Sequence, residues 1–329
     1  MICHTSTSLT RWTRRLATLA FSALLASTAH AAFPDKPVKL IVPWAPGGST
    51  DAIARAIAQR VGETLGQPVI VDNKPGAAGQ IGTDAAAKAA ADGYTISIVE
   101  LPHAIAPAVV AKLPYDLLRD FTPITLVGTS PLVLFATPGV ANDGKALLAS
   151  ARTASAKPLA LAHSGNGTVS HLAAEVLAVR TGQRYIMVPY RGSAPALTDV
   201  AAGQVQGHFA TMASGLSLLE AGRLQPMLVT SEKRMPVLPN VPTATELGLK
   251  DMNMQQWWAF VAPATTPVAV IEKLRTEILA AIAHKSVKDR LGTLAIDLKG
   301  SSRDDLRRFM RSEVDRWGQV AREAGLKPE

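Results

Sequence analysis

Apolar positions along the chain recur in two rhythms: short runs of strand length, and longer stretches with an apolar residue every third or fourth place. Val38–Val42 is the first run, stopped by Pro43. Behind it Ile53, Ile57, Val61 and Leu65 form one stripe, with Arg55, Gln59 and Arg60 off it, which predicts a helix over 51–65. The alternation continues with strands over 69–71, 94–99, 124–127 and 132–136 and helices over 81–91 and 145–154. It then restarts, with strands over 159–162, 186–189, 205–209 and 227–230 and helices over 170–181, 196–202 and 216–221. A strand over 258–261, a helix over 268–283 and a long amphipathic helix near 303–324 complete the pattern; Leu306, Phe309, Met310, Trp317, Val320 and Ala321 make the apolar face of the last. Such alternation predicts an α/β fold of mostly parallel sheets with helices on both faces. Two series joined near 136–142 predict two lobes with a cleft between them. The lobes are expected at 32–136 and 137–257, and, on the precedent of two-lobed folds, 258–329 returns to the first lobe. That makes two crossings, near Phe135 and near Trp258.

The first 31 residues stand outside this scheme. Arg11, Arg14 and Arg15, with no acid, precede the apolar run 16–26, and small residues ending in Ala29-His30-Ala31 follow it. That is the pattern of a cleaved secretory signal peptide, too short for the ~20 residues of a spanning helix. Removal after Ala31 leaves 298 of the 329 residues and takes away three arginines, so the net charge falls from +8 to +5. The single cysteine, Cys3, leaves as well, which excludes disulfides. A mild, evenly spread positive charge fits anionic ligands and does not point to nucleic acid.

Candidate chemistry collects in three strand-to-helix loops, at the strand ends where open α/β sheets place ligands. In "VPWAPGGSTD" (42–51), Gly47 and Gly48 bare the backbone, Ser49, Thr50 and Asp51 suit a helix start, and Trp44 with two prolines makes a stiff wall. The first N–H groups of a helix lack partners within it, so a carboxylate there meets several donors and the positive end of the helix dipole. Helix capping alone would also explain Ser-Thr-Asp. "HSGNGTVSH" (163–171) repeats the design with Ser164, Gly165, Gly167 and Thr168, and "YRGSAPAL" (190–197) with Tyr190 and Gly192-Ser193.

Enzyme motifs are missing: there is no G-x-S-x-G elbow, no Walker lysine and no G-x-G-x-x-G opening a helix. The histidines after residue 31 (His103, His163, His171, His208 and His284) form no metal-ligand spacing. No catalytic residue, metal or cofactor is expected. A hydrolase or isomerase on a two-lobed scaffold is the enzymatic alternative, and presentation of the solute to a signalling protein the other.

Several stretches fall in an order that resembles the substrate-binding proteins of tripartite tricarboxylate transporters, the Bug family: "VPWAPGGSTD", "GQPVIVDNKPGAAGQIG", "ADGYT", "SGNGTVSHLA", "VPYRGSAPALTDVAAGQVQ" and "TSEKRMPVLPNVPTATELGL". The resemblance covers essentially all of the chain after the signal segment. It implies a periplasmic binding protein fold, type II-like, closing on a small organic anion: a di- or tricarboxylate, an aromatic carboxylate or an acidic amino acid. It also implies a monomeric receptor that delivers its solute to integral-membrane permease subunits. By position it implies contacts from Trp44, Ala45, Gly47, Ser49, Thr50 and His103 in the first lobe, and from Ser164, Gly165, Gly167, Thr168 and Tyr190 in the second; Gly48 joins them through the bare backbone of its loop. Two places depart from the family pattern. Val99-Glu100-Leu101-Pro102 stands where small or polar residues precede the histidine, with Ala106 for an asparagine, and Ala210-Thr211 stands where an Asp or Asn is frequent. Glu100 either points to solvent or pairs with Arg191, or it meets a positive or hydrogen-donating group of the ligand, such as an ammonium.

Overall fold

Strand β1 (Val38–Val42) is buried at every residue but Lys39 and lies parallel to β2 (Val69–Asn73) on one side and β3 (Thr95–Glu100) on the other. Parallel neighbours need a crossover. Helices α1 (Ser49–Leu65) and α2 (Gln80–Ala87) supply two of them. The α1 stripe is real: Ile53, Ile57 and Val61 are buried, and the helix stops at Gly66, whose positive φ of 70° lets its N–H reach the Gly62 carbonyl. These elements belong to a computed structural model that describes residues 33–151, 158–250, 252–323 and 328. The expected signal peptide lies outside the described residues. The chain divides after Asp35, and Lys36 onward forms one unit.

A second parallel set comprises β5 (Ala160–His163), β6 (Ile186–Pro189) and β7 (Gly207–Thr211). Its helices are α5 (Val169–Thr181), α6 (Ser193–Ala201) and α7 (Met212–Glu220). The two sets are joined by β4 (Phe121–Ala136) and β9 (Gln255–Pro263). Up to Pro131, β4 pairs with β9, which also flanks β3; from Leu132 it pairs with β7 and β8 (Gln225–Val229), all antiparallel. The order is β2-β1-β3-β9-β4-β7-β5-β6, with β8 and the short β10 (Asp297–Leu298) also on β4. The sheet is therefore mixed rather than mostly parallel. Its ends are parallel, as βα order requires, and its middle is antiparallel because the connecting strands run against their neighbours.

Three departures from the expected elements have local causes. β4 is one strand where two were expected, 124–127 and 132–136, and it runs through Gly128 and Pro131 between them. Gly128 admits β10: a Cβ there would lie 2.6 Å from the Asp297 carbonyl oxygen. Pro131 sits where β4 changes partners. Helix α3 (Leu101–Val109) was not expected, because it contains Pro102 and Pro107. Pro102 stands in the first turn, where a missing N–H costs nothing, and Pro107 comes two residues before the end. Helix α4 (Gly144–Ala151) was expected, and α8 (Val268–Ala283) follows β9. α9 (Lys285–Gly292), missed because it has only two buried apolar residues, leads through β10 to α10 (Arg303–Glu323). α10 buries Leu306, Met310, Trp317 and Ala321 and packs on α3 and β4. Glu313 anchors it by accepting from the indoles of Trp257 (2.8 Å) and Trp317 (2.9 Å).

Candidate functional site

A cleft of about 640 Å³ of empty space, partly open to solvent, lies among residues of both strand sets. First turns of five helices line it: Ser49 and Thr50 of α1, Pro102 of α3, Val169 and Ser170 of α5, Ser193 to Pro195 of α6, and Ser214 of α7. A helix start carries a partial positive charge and N–H groups without partners in the helix. Glu100 takes the His103 N–H at α3 and Thr168 the His171 N–H at α5, whereas α1, α6 and α7 have no side-chain cap, so the convergence makes the cleft attractive to anions. Leu132, Phe209, Val169 and Pro102 give it apolar walls.

In the first loop Asp51 organises the turn. It accepts from the Gly47 N–H (3.1 Å), Arg55 Nε (3.0 Å) and Asn73 Nδ2 (3.0 Å), while Asn73 also donates to the Trp44 carbonyl. Burial alone would raise the Asp51 pKa; the bonds from Arg55, Gly47 and Asn73 outweigh it and hold the carboxyl below its usual range. The Gly47 N–H is thereby engaged, and Gly47 does not line the cleft, whereas Trp44, Ala45, Gly48, Ser49 and Thr50 do. The first bond within α1 runs from the Ala52 N–H to the Gly48 carbonyl, so the N–H groups of Ser49, Thr50 and Asp51 have no acceptor in the helix.

Beneath this loop lies Glu100, 3 % exposed. It accepts from the Thr50 hydroxyl (2.8 Å) and from Gln256 Nε2, while Trp258 donates to the Thr50 oxygen (3.0 Å). Burial raises its pKa most strongly and the donors Thr50, Gln256, Trp258 and Trp44 offset part of the effect, leaving it at about 7. The solvent-facing reading of Glu100 is overturned, and it forms no ion pair with Arg191. His103, one turn into α3, is 1 % exposed and turns away: its Nδ1 accepts from the Glu100 N–H (3.0 Å), and burial lowers its pKa to about 4. It does not line the cleft.

In the second loop the backbone is largely engaged. Ser164 N–H donates to Ser170 Oγ, Gly167 N–H to His171 Nδ1, and Thr168 N–H to the Gly165 carbonyl. Its glycines meet backbone demands: φ is 127° at Gly165 and 73° at Gly167, where a Cβ would also strike Val109 at 2.5 Å. Ser164 and Thr168 line the cleft; Gly165 and Gly167 do not. Tyr190 lies off the cleft, its hydroxyl on Asp199 (2.7 Å). The third loop contributes Arg191 to Pro195 instead. The start of α6 has no side-chain cap, which leaves the N–H groups of Ser193 and Ala194 exposed to an occupant.

The hydroxyls here run in one direction. His208 Nδ1 lies 2.8 Å from the Ala162 carbonyl, which can only accept, so Nε2 accepts from Ser193 Oγ (3.2 Å). Ser164 then donates to Ser193 (2.9 Å) and Ser170 to Ser164 (3.2 Å). With those protons committed, this side offers an anion its backbone N–H groups, the Arg191 guanidinium and one hydroxyl of the Thr211–Ser214 pair. Ala210 lines the cleft at the end of β7, and Gln256 of β9, which no sequence signal marked, joins it. Among the described residues no His, Cys, Asp and Glu cluster could hold a metal.

Residues 53–326 match the family described as "Tripartite tricarboxylate transporter family receptor". The chain belongs to this family. The receptor family is one of solute-binding proteins, and its two-lobed periplasmic binding protein fold is the fold seen here. BugT of Bordetella pertussis is 36 % identical over 311 residues, 94 % of this chain and 95 % of that one. The periplasmic binding protein BugD superposes with a TM-score of 0.86 at 32 % identity, covering 90 % of this chain and all of BugD. An R. palustris protein solved with adipate gives 0.86 at 34 % identity, with 90 % and 100 % covered. No helix among the described residues is long and apolar enough to cross a membrane.

Proposed function

We propose that the protein is a periplasmic, non-catalytic receptor that takes one small organic carboxylate into this cleft and delivers it to membrane permease subunits. The observation that carries the reading is the convergence of five helix starts on one cleft. An incoming carboxylate exchanges its water for fixed N–H donors, each such bond contributing roughly 1.5–3 kcal/mol net. A few of them reach the ~8 kcal/mol of micromolar binding. The similar R. palustris protein carries adipate, which supports a carboxylate ligand. The lobes, divided near 136 and 257, would close by bending β4 and β9.

The test is mass spectrometry of small molecules that stay with the purified protein, followed by calorimetry with a panel of organic acids. An organic carboxylate bound with micromolar affinity and recovered unchanged is expected. Preference for uncharged solutes, or chemical conversion of the bound acid, would overturn the reading.

A further inference from the structure

Two charged side chains line the cleft, Glu100 and Arg191. They occupy different settings. Arg191 is exposed at the entrance to α6, while Glu100 lies buried beneath α1. They form no ion pair. Beside Glu100 stands Gln256, 5 % exposed, whose Nε2 is engaged by the Glu100 carboxyl while its Oε1 is buried without a hydrogen-bond partner. The donors nearest the floor, the Thr50 hydroxyl and the Gln256 amide, are thus already committed to Glu100. The floor leaves without a partner one acceptor, Gln256 Oε1, and one donor, Trp44 Nε1, which acts on Glu100. The acceptor is the group an occupant would meet, and a buried polar atom without a partner is costly enough that an occupant able to satisfy it is favoured.

We propose that Glu100 and Gln256 form a donor-reading subsite, which selects a carboxylate whose second polar group is an ammonium over the dicarboxylate of the same chain length. The inference rests on the receptor reading above and names its ligand class. Helix starts and Arg191 hold the carboxylate. The ammonium supplies N–H donors to Gln256 Oε1 and a positive charge to Glu100. A second carboxylate in the same place would bring only acceptors against an acceptor and an acid. The pKa near 7 agrees: around neutral pH the carboxyl is partly ionised, and a cationic donor completes that form. With the Gln256 amide turned over and Glu100 protonated, the floor would instead offer donors and favour the dicarboxylate, so the two arrangements predict opposite preferences.

The test is calorimetry at pH 7.5 with matched pairs, ω-amino acids against dicarboxylates of four to eight carbons, on wild type and Glu100→Gln. Losing one charge-assisted hydrogen bond corresponds to roughly tenfold or more in affinity. For the best-fitting length the amino acid is expected to bind at least about tenfold more tightly than its dicarboxylate, and E100Q is expected to erase that ratio. Equal or tighter dicarboxylate binding by wild type, or a ratio unchanged in E100Q, overturns the proposal and leaves the receptor reading standing. Failure of both classes, with no other carboxylate binding, overturns both. If E100Q does not fold, the wild-type ratio still decides. Gln256→Leu then adds a second reading, since it is expected to weaken the amino acid about tenfold, and unchanged affinity counts against the subsite.

Discussion

At Glu100, donors favour a carboxylate and burial opposes one, and burial prevails. Its pKa stands at about 7 against an ordinary 4.5. The folded chain therefore holds a proton that the unfolded chain releases, and the linkage has a definite sign. The contribution of Glu100 to stability is complete below pH 4.5 and is lost as pH rises through 7, a change of about 3 kcal/mol. His103, His163 and His208 act oppositely: burial lowers each to about 4, so their neutral forms favour folding increasingly as pH rises from 4 toward 6.5. Comparing wild type with Glu100→Gln removes the histidine contributions. Between pH 4.5 and 8, the unfolding free energy of wild type relative to E100Q is expected to fall by about 3 kcal/mol in denaturant titrations. A difference independent of pH would mean that Glu100 titrates normally.

The working unit of the site is the helix start. Gly48 caps α1 at φ −85° and ψ 174°, a conformation open to any residue, and no atom lies within 4 Å of the place its Cβ would take. An aspartate there would bond the N–H of Thr50 or Asp51 itself, adding roughly a few tenths of a kcal/mol to the helix relative to glycine. It would also fill the position a ligand carboxylate needs. Gly48→Asp is expected to keep or raise the melting temperature and to lose carboxylate binding in calorimetry; intact binding would show that α1 supplies no donor. The loop 42–51 was legible in the sequence because bare glycines and capping residues follow a strand directly. The loop 163–171 has the same composition, yet its N–H groups turn inward onto Ser170, His171 and the Gly165 carbonyl, a distinction that depends on side-chain geometry. Gln256 gave no signal: it precedes a run of six apolar or aromatic residues, 257–262, in β9, and its role appears only when β9 passes next to β3. Helix α3 was hidden by two prolines: Pro102 fits its first turn, while Pro107 lies inside the helix and lacks the N–H that would bond the His103 carbonyl.

Across the whole molecule, β4 and β9 carry the chain between strand sets whose helices point their starts at one cleft. Alternating βα order indicated the parallel ends of the sheet; the antiparallel centre comes from long-range pairing, such as Glu100 opposite Trp258, which periodicity does not encode. The central claim is that backbone N–H groups on facing sides of the cleft capture a carboxylate. A crystal structure with the tightest-binding organic acid tests it most directly. Carboxylate oxygens are expected within about 2.7–3.2 Å of the backbone nitrogens of Ser49 or Thr50 on one side, or of Ser193 or Ala194 on the other. A carboxylate held by the Arg191 side chain alone, or bound outside the cleft, would contradict the account.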